Sequence, residues 1–237
     1  MANMKLAFVQ LVPKMDNDDN IEDAFKAMDV AKIVESNFLL FPEHWFKNTD
    51  SKVCEDTFVN RIQTPLFRLS NRADLLNIGL FAAYTEVINN NDVSEASLID
   101  RFGLEVLRCV NNEDLDGAYR HSYNNFDVRE VDINGNKVNI GILTGYANKV
   151  DKLYNAIKKL ADENAEVIFI DFDSTITNEF KTEIKELAYR YGLIIAVVNY
   201  PTGYKECNGQ SFVTNGKKGN SVEFGSNPYI YIAEVEL

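Results

Sequence analysis

The sequence predicts an α/β layered sandwich, in which apolar strands alternate with amphipathic helices. A strand, a helix and a second strand follow one another at the amino end, which is the pattern of a parallel βαβ unit. The same alternation returns twice in the second half of the chain. The strands are nearly all apolar, so both faces of the sheets need cover from helices or from a second sheet. No repeat or linker interrupts the 237 residues, and we expect a single domain over residues 1–237.

The first half of the chain begins with the run MKLAFVQL at positions 4–11, a predicted strand that Pro13 ends. The next 20 or so residues have apolar side chains at helical spacing, and the apolar residues 38–41 predict a second strand. Further on, we predict a helix over about 55–73 and strands over 78–85, 97–99 and 104–110.

The second half starts with a polar stretch without periodicity at 111–125, a length more typical of functional loops than of simple connections. Two alternating runs about Asn134-Gly135 then predict a β-hairpin. The strand NIGILT precedes a helix over about 149–162, and EVIFIDF precedes a helix over about 179–191. The strand LIIAVVNY follows, and the remaining residues read as strands joined by turns.

Composition excludes several classes of partner. The chain has 36 acidic and 24 basic residues, a formal net charge of −12, and its basic residues are scattered, so we expect no binding to nucleic acid or membranes. Three cysteines lie far apart without a CxxC pair, which favours a reducing compartment. The amino end lacks the features of a signal peptide, and no apolar run reaches about 18 residues. We therefore expect a cytoplasmic protein.

One stretch, VIFIDFDSTIT at 167–177, resembles the first motif of haloacid dehalogenase-type phosphatases. Asp171 and Asp173 would then be the phosphorylated residue and the acid/base beside magnesium. That family needs a long α/β core after this motif, whereas only 60 residues follow, mostly predicted antiparallel strand and without paired acids. A strand end followed by an Asp/Ser/Thr helix cap explains the same letters. The histidines His44 and His121 have no third metal ligand near them in sequence. We predict no metal and no cofactor.

Glu43, in the stretch NFLLFPEHWF, is the strongest candidate for chemistry. Pro42 ends a strand, so Glu43 emerges at the carboxyl end, where open α/β sheets place ligands. The flanking aromatic residues would partly desolvate its carboxyl, which raises a pKa toward the value that suits a general base. The alternative is a loop glutamate with its carboxylate in water.

The order of several blocks resembles the nitrilase, or carbon-nitrogen hydrolase, superfamily over nearly the whole chain. The blocks are MKLAFVQLVP, FLLFPEHWF, ASLIDRFGLEVLR, KVNIGILTGYAN, FKTEIKELAYRYGLIIAVVNYPTG, GQSFVTNGKKG and YIYIAEVEL. The resemblance implies a four-layer-forming αββα sandwich, with two central sheets covered by helices, and a homodimer. It also implies hydrolysis of an amide or nitrile by a cysteine nucleophile, a glutamate base and a lysine that stabilises the oxyanion.

By that resemblance Glu43 is the retained base, whereas Asn111 stands at the lysine position and Gly145 at the cysteine position. Glycine has no nucleophile, although it suits a tight strand-to-helix turn. Three residues offer a hydroxyl or thiol in place of the cysteine. Thr144 should point away from Glu43 and Cys109 should lie back in the core, so Cys207, in the loop before GQS, is the least implausible substitute.

The sequence therefore favours a degenerate member of the superfamily that binds a small molecule, or a partner, without thioester chemistry. The alternative is an active amidase-type hydrolase with a displaced nucleophile, acting on an amide substrate. In either case we expect His44, Trp45, Tyr146 and Cys207 to line the pocket.

Overall fold

The computed structural model describes residues 3–48, 64–88, 91–110, 126–147 and 149–237. Two β-sheets pack face to face, and two helices cover the outer face of each. The helices are α1 (Asn17–Ile33), α2 (Pro65–Leu76), α3 (Val150–Asp162) and α4 (Asn178–Tyr191). The strands are β1 (Asn3–Gln10), β2 (Phe38–Leu40), β3 (Phe46–Asn48), β4 (Gly79–Ile88), β5 (Asn91–Ile99), β6 (Glu105–Val110), β7 (Val128–Ile133), β8 (Asn136–Leu143), β9 (Val167–Asp171), β10 (Ile194–Val198), β11 (Phe212–Asn215), β12 (Asn220–Glu223) and β13 (Tyr229–Glu236).

Each sheet has a parallel centre and antiparallel margins. The first sheet has the order β13-β1-β2-β4-β5-β6, with β3 beside β4, and the second has the order β12-β11-β10-β9-β8-β7. Strands β1, β2 and β4 are parallel, as are β8, β9 and β10, whereas β13, β5 and β11 join them antiparallel. The predicted βαβ unit is confirmed, and its strands share one carboxyl edge.

Three apolar layers hold the sandwich together. Between the sheets, Phe81 of β4 and Phe169 of β9 meet with their ring centroids 5.9 Å apart. Met28 and Leu69 anchor α1 and α2 to the first sheet, and equivalent side chains anchor α3 and α4 to the second. Each large apolar side chain buried in this way contributes roughly 1.5–3 kcal/mol. The predicted sandwich of two sheets under helices is confirmed.

Two boundaries differ from prediction. The helix expected from about residue 55 is described only from Pro65, where the Thr64 hydroxyl accepts a hydrogen bond from the Phe67 amide at 3.3 Å. Residues 55–63 lie outside the described residues. The strand predicted over 97–99 starts earlier, at Asn91. The prediction was too short because β5 contains buried polar residues such as Glu95, which a hydrophobic pattern does not reveal.

The predicted hairpin is confirmed: Ile133 and Asn136 pair across a turn whose Asn134 and Gly135 have φ of 54° and 84°. Positive φ at both central residues is typical of the type I′ turn that suits the twist of paired strands. Among the described residues, no helix is long and apolar enough to cross a membrane.

Candidate functional site

The candidate site lies where parallel strands of both sheets end. Glu43 follows β2 of the first sheet; from the second sheet, Gly145 follows β8, Asp173 follows β9 and Tyr200 follows β10. The two sheets therefore contribute their carboxyl edges to one place, which is where such sheets hold ligands.

Glu43 is held in position from both sheets. Its side chain is buried, with the residue 4% exposed, and its Oε1 accepts a hydrogen bond from Ser94 Oγ at 2.9 Å. The Tyr200 hydroxyl donates to the Glu43 carbonyl at 2.6 Å. Among the described residues, Oε2 has no hydrogen-bond partner. A carboxylate in open water is therefore the wrong description of Glu43: one of its oxygens is buried and available.

His44 is the immediate partner of Glu43. Its backbone has φ of 60°, in the left-handed region that side chains other than glycine seldom adopt. Its Nδ1 lies 2.6 Å from Thr85 Oγ1, and its Nε2 lies 3.2 Å from Glu43 Oε1. Burial lowers the pKa of His44, but the hydrogen bond and the charge of Glu43 outweigh burial and raise it. The imidazole is therefore held between Thr85 on one side and Glu43 on the other.

Two aspartates complete an acidic cluster around Glu43. Asp171 is fully buried, and neither of its side-chain oxygens has a hydrogen-bond partner among the described residues. Burial, and then the charge of Glu43, raise the pKa of Asp171 well above its ordinary value, which favours the protonated form. The same two causes raise the pKa of Asp173, although Lys205 Nζ, 2.7 Å from its Oδ2, opposes them. The surroundings of both aspartates thus favour protonation more than water does.

The other predicted site residues occupy different depths. Gly145 has φ of 76°, as a tight turn after a strand requires, and Tyr146 is half-buried. Trp45 is 1% exposed and packs in the core nearly parallel to Tyr200, with ring centroids 6.2 Å apart. Asn111 lies outside the described residues.

The two described cysteines are poor nucleophiles. Cys109 lies in the core between the sheets, and burial raises its pKa to about 12. Burial, followed by the charge of Asp173, raises the pKa of Cys207 to about 12. Thiols react as thiolates, so both are almost entirely in the unreactive form near neutral pH. Thr144 is buried, as expected, and its hydroxyl has no hydrogen-bond partner among the described residues.

Sequence reasoning missed that Asp171 and Asp173 belong with Glu43. It assigned them to a phosphatase motif or to a helix cap, and the cap of α4 is Thr177, whose hydroxyl accepts from the Phe180 amide at 3.1 Å. The signal was available, since Asp171 ends an apolar parallel strand just as Glu43 follows one. Ser94 and Lys205 carried no such signal.

A cavity of about 560 Å³ lies away from this cluster, between α4 and the β11–β12 turn. None of the predicted site residues lines it. This cavity is therefore separate from Glu43. The evidence for a site at Glu43 is its buried polar atoms without hydrogen-bond partners among the described residues.

Two face-to-face sheets under helices, with a buried glutamate after the second strand, define the class of fold as a nitrilase-type αββα sandwich. Among solved structures, an amidase from Nesterenkonia sp. matches with a TM-score of 0.71 and 16% identity, over 98% of this chain and 90% of that chain. A double mutant of the amidase from Nesterenkonia sp. AN1 in complex with acrylamide matches with a TM-score of 0.73 and 16% identity, over 99% and 91% of the two chains.

A further mutant of the Nesterenkonia sp. AN1 amidase, in complex with butyramide, has a TM-score of 0.71 and 16% identity, over 98% of this chain and 90% of that one. Another structure of a Nesterenkonia AN1 amidase describes that protein as belonging to the nitrilase superfamily. At 16% identity these likenesses show the fold. No protein-family model and no curated protein matches this chain.

Proposed function

We propose that this chain is a single-domain member of the nitrilase superfamily that binds a small amide or amide-like molecule without thioester chemistry. One observation carries the proposal: Gly145, with φ of 76°, follows β8 where the family resemblance places the cysteine. Glycine has no side chain with which to form a covalent intermediate. Both described thiols are buried with pKa values near 12, so neither is a ready substitute.

An amide suits the hydrogen-bonding groups of the site. The Glu43 Oε2, which has no hydrogen-bond partner among the described residues, can accept a hydrogen bond from an amide N–H. Asp171, whose environment favours the protonated form, can donate to an amide carbonyl. Acrylamide and butyramide are bound in structures of the Nesterenkonia amidase, which has the same fold.

The proposal extends to the remaining predicted residues. Asn111 takes the place of the lysine without its charge, and His44, Trp45, Tyr146 and Cys207 form the surroundings of the ligand. We also propose that the protein is a cytoplasmic homodimer, as the resemblance implies, which light scattering at low micromolar concentration tests directly.

A second function is favoured by one specific observation. The charges of Asp173 and Glu43 both act on Cys207, which places this thiol near the acidic cluster. In a hydrolase with Cys207 as its displaced nucleophile, Glu43 would be the base toward this thiol. The raised pKa argues against it, because a catalytic thiol needs the opposite shift.

The experiment is a panel of small amides, led by butyramide and acrylamide, with binding followed by ligand-observed NMR and turnover followed by ammonia release. We expect binding that Glu43→Gln weakens and that Glu186→Gln, an exposed carboxylate on α4, leaves unchanged. We expect no ammonia above the protein-free blank. Ammonia release that Cys207→Ser abolishes would replace the first function by the second, and absence of binding across the panel would contradict the amide ligand.

A further inference from the structure

Three potential metal ligands converge at the candidate site. One oxygen of Glu43, one ring nitrogen of His44 and one oxygen of Asp173 lie within 4.8 Å of one another. We propose that these three residues form a binding site for a divalent transition-metal ion of the Zn²⁺ class. Spacing along the sequence predicts no such site, because Asp173 comes from the second sheet, 130 residues after Glu43.

The donor set fits this class of ion. Two carboxylates and an imidazole are ligands that Zn²⁺ and its neighbours accept, whereas Mg²⁺ and Ca²⁺ favour oxygen ligands alone. Three protein ligands would leave a coordination position open to water or to a small molecule, as in zinc sites that bind substrates.

A second observation points independently to a ligand. Glu43 is 4% exposed, and its Oε2 has no hydrogen-bond partner among the described residues. A buried polar atom without a partner is costly, so native proteins normally supply one. A cation bound between Glu43 and Asp173 would satisfy this oxygen.

The histidine is oriented for coordination. Its Nδ1 lies 2.6 Å from Thr85 Oγ1, so a proton on Nδ1 would be donated to that hydroxyl. The other nitrogen, Nε2, would then carry the lone pair and faces Glu43 Oε1 at 3.2 Å. A partner on the second ring nitrogen is the usual way in which proteins fix a metal-binding histidine.

Lys205 is the internal competitor for this position. Its ammonium pairs with Asp173 Oδ2 at 2.7 Å, and its side chain is 45% exposed, so it can turn toward solvent when a metal binds. This arrangement makes an unusual prediction: removal of a cation at the site should tighten metal binding, whereas removal of a ligand should weaken it.

The test is a calorimetric titration of the full chain, stripped with EDTA and dialysed, with ZnCl₂ in a buffer that does not chelate zinc. We expect one Zn²⁺ per chain. Asp173→Asn and His44→Asn should each weaken binding by about tenfold or more, in the range typical of lost metal-site contacts. Asparagine is chosen at position 44 because it tolerates the left-handed backbone there. Lys205→Met should tighten binding about 30-fold, the effect of one unit charge on a divalent ion at ~4 Å in water.

Glu186→Gln, an exposed change of the same charge, is the matched control and should leave the affinity unchanged. Circular dichroism and melting temperature show whether each variant is folded, and the cobalt(II) absorption spectrum reports on coordination independently of affinity. Failure of the wild-type chain to bind zinc, or binding that Asp173→Asn and His44→Asn leave intact, would overturn the site. Because the test contains no amide, its result is separate from that of the proposed function.

Discussion

The reactivity of the Cys207 thiol distinguishes a binding protein from a hydrolase with a displaced nucleophile. Burial and the charge of Asp173 raise its pKa from the ordinary 9.0 to about 12. The perturbation is alkylation by iodoacetamide over a series of pH values. We expect Cys207 to react much more slowly than a small thiol of ordinary pKa.

The expected factor follows from two opposing effects. At pH 8, a thiol of pKa 9 is about one-tenth ionised, whereas one of pKa about 12 is ionised in roughly one molecule in 10⁴, a ratio of ~1000. The more basic thiolate is the better nucleophile: with a Brønsted coefficient of ~0.45, a pKa higher by about three units makes each thiolate react about 20-fold faster. Cys207 should therefore react about 50-fold more slowly, before any steric protection.

The assay is site-resolved mass spectrometry after timed alkylation, with glutathione as the reference thiol. The rate at Cys207 should rise about tenfold for each pH unit from 7 to 10, without a plateau. Alkylation of Cys207 faster than glutathione at pH 8, with a plateau below pH 9, would refute the reasoning and restore the displaced-nucleophile hydrolase.

Three further predictions concern stability, each measured by urea unfolding. Arg108→Met should cost about 3–5 kcal/mol, because Glu95, 2% exposed, would lose the guanidinium that bonds its Oε2 at 2.8 Å. Glu223→Gln should cost less than about 1 kcal/mol at pH 7, because the carboxylate that Lys181 stabilises is partly exposed and screened. Gly216→Ala should cost about 1–3 kcal/mol, since its Cβ would lie 1.9 Å from a carbonyl oxygen of the α4 backbone.

The substitutions at Arg108 and Gly216 each have a matched control. Lys137→Met removes an exposed, solvent-screened ion pair with Glu130 and should leave stability nearly unchanged. A loss there equal to that of Arg108→Met would contradict the argument for Arg108. Gly225→Ala meets its nearest described atom only at 3.5 Å and should be close to neutral. A similar cost at both glycines would show that the contact with α4 is not the cause.

The stabilising effect of Glu223 should also depend on pH in a definite direction. Hydrogen bonds from Lys181 and Lys185 lower the pKa of Glu223 below its ordinary 4.5. A carboxyl of lowered pKa stabilises the fold fully above its unfolded pKa, and this contribution is lost as pH falls through the folded value. The difference between wild type and Glu223→Gln should therefore shrink as the pH falls below about 4.5; a difference that grew on acidification would contradict the assignment.

The fold could be predicted because its strands and helices are written in local patterns. The apolar strands β8, β9 and β10 and the type I′ hairpin at Asn134 need no distant information, and their predictions are confirmed. The strand β5 was predicted too short because Glu95 and Ser94 look exposed in the sequence. In the fold Glu95 is paired with Arg108 of β6, and Ser94 donates a hydrogen bond to Glu43 in the loop after β2.

The candidate site was less predictable, because it is assembled by topology. Glu43 could be found from one strand and its proline, but its neighbours come from the end of another sheet. Lys205 is recognised as part of the site only from the 2.7 Å contact between its Nζ and Asp173 Oδ2. Spacing along the chain carries no information about such a contact, whereas the rule that ligands gather at carboxyl strand ends would have selected Asp171 and Asp173.

The pairing of β1 with β13 has a consequence for synthesis on the ribosome. Asn3 lies opposite Glu236, so more than 200 residues must be synthesised after β1 before the strand that pairs with this edge is available. The buried Gln10 also lacks its hydrogen-bond partners for most of this time, because its amide donates to the carbonyl oxygens of Gly225 and Asn227. During that interval β1 offers an open edge of the kind on which nascent chains associate. Among the described strands, β13 is synthesised after all the others, and it is the strand that closes this edge of β1.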